Sequence, residues 1–98
     1  MSLIFKSNKY DKNSVEIKNQ YCIIKILSLL DYSSCGTDNY VSFHYKILSA
    51  IRNRSKMIDD FIEEGFYRDD MMLNLLLSLE ELSEYCLEKK CDVVWEKL

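Results

Sequence analysis

Apolar positions along this chain recur mostly at helical spacing. Between Ser14 and Leu30, Ile17, Tyr21 and Ile24 share one ridge while Ile23, Ile26, Leu27 and Leu30 share the next, which predicts a helix with a broad apolar face. Asn13-Ser14-Val15-Glu16 ahead of it has the form of a capping box, with Asn13 accepting from first-turn amides and Glu16 reaching back. A second helix is expected from Tyr40 to Asn53, capped by Asp38 or Asn39. Phe43, Ile47, Ala50 and Ile51 form its buried stripe, with Val41, Tyr45 and Leu48 beside it. Ser55 can cap a third, short helix over Lys56–Glu64, whose pairs Met57/Ile58 and Phe61/Ile62 recur one turn apart, and Gly65 stands where a left-handed C-terminal residue is wanted. The strongest amphipathic segment runs from Asp70 to Lys90. Met72, Leu75, Leu76, Leu79, Leu82, Cys86 and Leu87 give its apolar face, Asp69-Asp70 suit the positive end of its dipole, and Lys89-Lys90 suit the other.

The remaining segments are short. Leu3, Ile4 and Phe5 predict a strand or an extended arm packed on the domain, Asp31–Asn39 a loop, and Asp92–Leu98 one further turn with Val93, Val94 and Trp95 packing back. Proline is absent and there are only two glycines, Gly36 and Gly65, so the punctuation expected of sandwiches and barrels is missing. The expected fold is an all-α, single-domain bundle of about four helices over residues 1–98, with a short extended N-terminal arm. Abundant Ile, Lys, Asn and Ser beside a single alanine, Ala50, read as an AT-rich gene of a mobile element or a virus.

Met1–Tyr10 has no apolar stretch of leader length and no small-residue cleavage site. Lys25 interrupts the first apolar run, and Leu73–Leu79 is too short to span a bilayer. A cytoplasmic protein is expected, with no membrane contact and with Cys22, Cys35, Cys86 and Cys91 as reduced thiols.

Charge changes this picture more than composition does. The first 55 residues carry a net charge of +4, whereas Met57–Glu88 holds ten carboxylates and one cation, Arg68, for a net of −9. Within that segment Asp59/Glu63, Asp60/Glu64, Glu80/Glu84 and Glu84/Glu88 are like-charge pairs four residues apart, and Glu81/Glu84 are three apart. Each such pair costs an isolated helix about 0.2–0.5 kcal/mol. A solvated face would account for them, but a surface needing only solubility would interleave lysines. A carboxylate face for a cationic partner is the functional reading. Its candidate partner-binding residues are Asp59, Asp60, Glu63, Glu64, Asp69, Asp70, Glu80, Glu81 and Glu84, with Tyr67 and Tyr85 as aromatic anchors among them.

Other chemistry finds little footing. His44, the single histidine, lacks the glutamate partners of a di-iron motif, and Asp69-Asp70-Met71-Met72 lacks calcium-loop spacing, so neither a metal nor another cofactor is expected. Between Phe43 and Tyr45, His44 reads as a half-buried structural residue, and Cys22 and Cys86 as core fillers. The lysines at 6, 9, 12, 18 and 25 are scattered and opposed by the acidic half, which argues against nucleic acid as a partner. No small-molecule substrate and no enzymatic activity are expected.

Asp-Asp-Phe-Ile-Glu-Glu-Gly-Phe-Tyr-Arg-Asp-Asp, Asp59 to Asp70, together with Leu-Glu-Glu-Leu-Ser-Glu-Tyr, Leu79 to Tyr85, resembles in type the acidic surfaces of bacterial immunity proteins that accompany nuclease bacteriocins and contact-dependent growth inhibition toxins. The resemblance implies an inhibitor that covers the basic cleft of a cognate nuclease toxin domain. The alternative is a small helical adaptor or viral host-interaction protein that binds its partner through an apolar groove.

Overall fold

In the computed structural model, which describes residues 2–53 and 69–98 without the side chains of Asp69 and Asp70, the chain forms strands as well as helices. The described elements are β1 (Leu3–Ser7), β2 (Val15–Ile17), α1 (Gln20–Leu30), β3 (Gly36–Asp38), α2 (Tyr40–Arg52), α3 (Asp69–Lys89) and β4 (Val93–Lys97). The strands form one antiparallel sheet in the order β2-β1-β4-β3. The fold is therefore α+β, which corrects the all-α bundle of about four helices that the spacing predicts.

The error has a local cause. Val15 and Ile17 alternate with Glu16, burying two side chains and exposing the third, as a half-buried strand requires. In three residues that alternation is indistinguishable from the start of a helical ridge. Asn13 adopts φ 65°, a left-handed turn position, and is not a helix cap. The helix begins later: the Asn19 side chain accepts from the Cys22 amide at 3.1 Å. With Ile17 in a strand, the ridge through Ile24 dissolves. Ile24 is exposed, and α1 buries Cys22, Ile23, Ile26 and Leu30 instead.

The expected loop at 31–39 contains β3, and the expected final turn is β4, a central strand. Val93 and Trp95 of β4 point inward and pair on one side with Ser7 and Phe5 of β1. On the other side they pair with Asp38 and Gly36 of β3. Gly36 fits because a Cβ there would lie 3.0 Å from the Trp95 ring. The extended N-terminal segment is confirmed as β1, and α2 is capped by Asn39, whose side chain accepts from the Ser42 amide at 2.8 Å. The short helix expected over 56–64, with Gly65 after it, lies outside the described residues.

One face of the sheet supplies Leu3, Phe5, Val15, Ile17, Val93 and Trp95 to the core, and the helices supply Cys22, Ile23, Ile26, Leu30, Phe43, Ile47, Met72, Leu76, Leu79, Leu82 and Cys86. Leu75, expected in the α3 core stripe, is half-buried at its edge. The opposite sheet face carries Ile4, Lys6, Glu16, Val94 and Glu96, none of them fully buried. α3 packs mainly on α2 and also meets β1 and β2. This arrangement turns the outer flank of α3 towards the β1–β2 loop.

Candidate functional site

That flank and the loop enclose an open depression of about 270 Å³, lined by Glu81, Glu84, Tyr85 and Glu88 of α3 and by Asn13 of the loop. The spacing from 81 to 84, 85 and 88 brings the four helical side chains to one face. Glu81, Glu84 and Glu88 are all exposed, and among the described residues no lysine or arginine lines the depression.

The loop is held by local hydrogen bonds. Ser7 Oγ, at the buried end of β1, accepts from the amides of Lys9 and Tyr10, each at 3.1 Å, and the Ser14 hydroxyl donates to the Asp11 carbonyl at 2.8 Å. The first pair sets Tyr10 against α3, where its ring meets Tyr85 edge to face at a centroid distance of 5.9 Å. Tyr10 and Tyr85 thus form an aromatic wall beside the three carboxylates. Lys89 Nζ lies 6.0 Å from the Tyr85 centroid, at the outer limit of a cation–π contact.

The structure therefore gathers part of the predicted surface. Glu81, Glu84 and Tyr85 line the depression, whereas Glu80 is half-buried and is not among its lining residues. Asp69 and Asp70 occupy helical backbone positions at the start of α3. Asp59, Asp60, Glu63, Glu64 and Tyr67 lie outside the described residues. Glu88 joins the site as a continuation of the same helical spacing. Asn13 and Tyr10 come from a loop that sequence spacing alone could not bring to α3.

His44 lies 3.0 Å through Nδ1 from the Ser83 hydroxyl oxygen. Ser83 is fully buried, and its hydroxyl donates to the Glu80 carbonyl at 2.8 Å. Its oxygen therefore accepts from His44 Nδ1–H, and the serine proton is directed at the backbone instead of at the ring. This polarity links α2 to α3 and is opposite to that of a histidine activating a serine. Among the described residues, no three His, Cys, Asp or Glu side chains are grouped to hold a metal ion.

A second polar cluster joins Tyr32, Asp38, Lys46 and Trp95. The Tyr32 hydroxyl donates to Asp38 Oδ2 at 2.7 Å, and its ring stacks on Trp95 at 4.0 Å with Lys46 Nζ 4.5 Å from its centroid. Trp95 Nε1–H donates to the Ser33 carbonyl at 2.9 Å. Burial, followed by the Asp38 hydrogen bond and charge, pushes the Tyr32 phenol well above its ordinary range. Burial is also the largest single influence on Asp38 and acts upward. It is outweighed by hydrogen bonds from Tyr32, Ser42 and the Asn39 amide, with the Lys46 charge, so the carboxyl is held below its usual value. These contacts fix β3 and α2 around Trp95.

Comparison with protein-family models, curated proteins and solved structures gave no match. Among the described residues, no helix is long and apolar enough to cross a membrane.

Proposed function

We propose that this chain binds a cationic protein domain through the acidic face of α3, as a cytoplasmic immunity protein would bind and block its cognate nuclease toxin. The observation that carries the reading is the depression that Glu81, Glu84 and Glu88 line beside Tyr85, without a lining cation among the described residues. Fixed carboxylates of this kind can occupy a basic cleft in place of nucleic-acid phosphates and accelerate association by steering. Tyr85 and Tyr10 supply apolar area with few rotors to order on binding. Asp69 and Asp70, together with the acids at 59, 60, 63 and 64, extend the same charge along the chain. In this reading the chain inhibits by occupancy and performs no chemistry.

The test is co-expression with nuclease domains encoded beside the gene, followed by pull-down and a growth assay. The expected outcome is protection against one cognate toxin, lost when Glu81, Glu84 and Glu88 are all replaced by Gln. Breaking one buried interfacial charge pair costs about 2–5 kcal/mol. Undiminished binding by the triple variant would dismiss the acidic-face mechanism.

A second reading has its own observation. Val41 and Tyr45 stand one turn apart on α2 with 59% and 68% of their surfaces exposed. An adaptor using this apolar strip would bind with little dependence on salt, whereas ionic association weakens steeply as salt rises. Titrating the partner at low and high ionic strength separates the two.

A further inference from the structure

Cys86 and Cys91 face each other across the turn that ends α3. Lys90 takes φ 54°, and the Cys91 amide donates to the Cys86 carbonyl at 3.0 Å, the long bond of a Schellman motif. The two residues bracketing such a turn normally meet through apolar side chains. Here both are thiols, with 0% and 2% of their surfaces exposed and no bond joining them.

Ser7 gives the pair a direction. Its Oγ lies 3.0 Å from Cys91 Sγ and already accepts from the amides of Lys9 and Tyr10. With both lone pairs engaged, the hydroxyl has only its proton left to offer, so it donates to Cys91 sulfur. Burial first, and then the charge and hydrogen bond of Cys91 with a smaller contribution from Asp92, push the Cys86 thiol up to about 12. Cys86 therefore keeps its proton. The Ser7 hydroxyl is thus directed at the Cys91 sulfur and marks it as the reactive member of the pair.

We infer that Cys86 and Cys91 are an oxidisable dithiol that closes to a disulfide on exposure to hydrogen peroxide, with Cys91 as the attacking sulfur. Cys91 sulfur attacks one peroxide oxygen, the O–O bond breaks, and the departing hydroxide takes the Cys91 proton to leave as water, giving a sulfenic acid. Cys86 sulfur then attacks Cys91 sulfur, the S–O bond breaks, and the Cys86 proton leaves with the second hydroxide as water. Two thiols and one peroxide give one disulfide and two waters. A small neutral oxidant suits a buried pair next to an exposed turn. Cys22 is equally buried in α1 and Cys35 is exposed, so both serve as internal references.

Lys89 and Lys90 lie between the two cysteines, so trypsin separates them and only a disulfide keeps their peptides joined. The Cys35→Ser full-length protein, which cannot link between molecules through its exposed thiol, is treated with hydrogen peroxide, denatured, alkylated and digested. The expected result is loss of the mass of two hydrogen atoms, a joined pair of peptides carrying Cys86 and Cys91 that separates on reduction, and Cys22 still alkylated. In a folded Cys86→Ser variant the reaction should stop at a Cys91 sulfenic acid trapped by dimedone. Sulfinic or sulfonic acid at Cys91 without joined peptides, or complete alkylation of both thiols after peroxide, would overturn the inference. The digest of the Cys35→Ser protein decides the matter should Cys86→Ser fail to fold.

Discussion

Tyr32 shows how one side chain can serve packing and charge together. Its ring lies on Trp95 while its hydroxyl donates to Asp38, and the carboxyl is held below its ordinary range with this hydrogen bond as the leading downward influence. A carboxyl whose folded-state pKa is lowered contributes its stability above the unfolded value and loses it as pH falls through the folded one. Tyr32→Phe keeps the ring and removes the bond, so it should cost about 1–2 kcal/mol near neutrality. That cost should shrink as pH falls below the ordinary carboxylate range and through the lowered pKa of Asp38, where the carboxyl becomes protonated with or without its partner. Urea denaturation of both proteins across this range checks the sign: a cost that grew in acid would contradict it. Close by, Gly36→Ala places a methyl group against Trp95, whose ring is fixed by Phe5, Tyr32 and the Ser33 carbonyl. Overpacking of this kind costs about 1–3 kcal/mol, read as a shift in the denaturation midpoint.

At the scale of elements, α3 follows the sequence pattern most closely. Met72, Leu76, Leu79, Leu82 and Cys86 are buried at the spacing that predicts them. Leu79→Ala, at a position with no exposed surface, should cost about 2–5 kcal/mol in equilibrium unfolding. The helix ends are less economical. Asp31 after α1 and Lys90 after α3 both occupy left-handed positions that favour glycine. Lys90→Gly should therefore stabilise the fold by about 0.5–1 kcal/mol, the relief of backbone strain partly offset by greater freedom in the unfolded chain. An unchanged or lowered midpoint would assign Lys90 a compensating contact. The strands were hard to read because β2 and β3 have three residues each. Two apolar residues flanking Glu16 fit a helical ridge as well as a strand, and Gly36-Thr37-Asp38 has the composition of a turn. Only pairing with β1 and β4 decides either case.

At the scale of the whole molecule, the same long-range pairing determines how much of the candidate site was visible. Glu81, Glu84, Tyr85 and Glu88 are legible from helical spacing, while Asn13 and Tyr10 reach them only because β2 folds back on β1 and carries the intervening loop to α3. The sheet in turn depends on the last strand. β4 has neighbours on both sides, pairing with β1 over five positions and with β3 over three, and it contributes Val93 and Trp95 to the core. A chain truncated after Asp92 would leave β1 and β3 without their shared partner and expose the aromatic cluster of Phe5, Phe43 and Tyr32. Helical segments can form locally, but a two-stranded remnant is marginal in water and cannot hold them in one arrangement. The truncated chain should therefore keep part of its far-UV helical signal, lose its near-UV signal and cooperative urea transition, and bind a dye for exposed apolar surface. A cooperative transition at the full-length midpoint would show that the helices organise this domain without the sheet. The competing result, loss of cooperativity, would place the decisive contact between the two ends of the chain, where helical periodicity is silent.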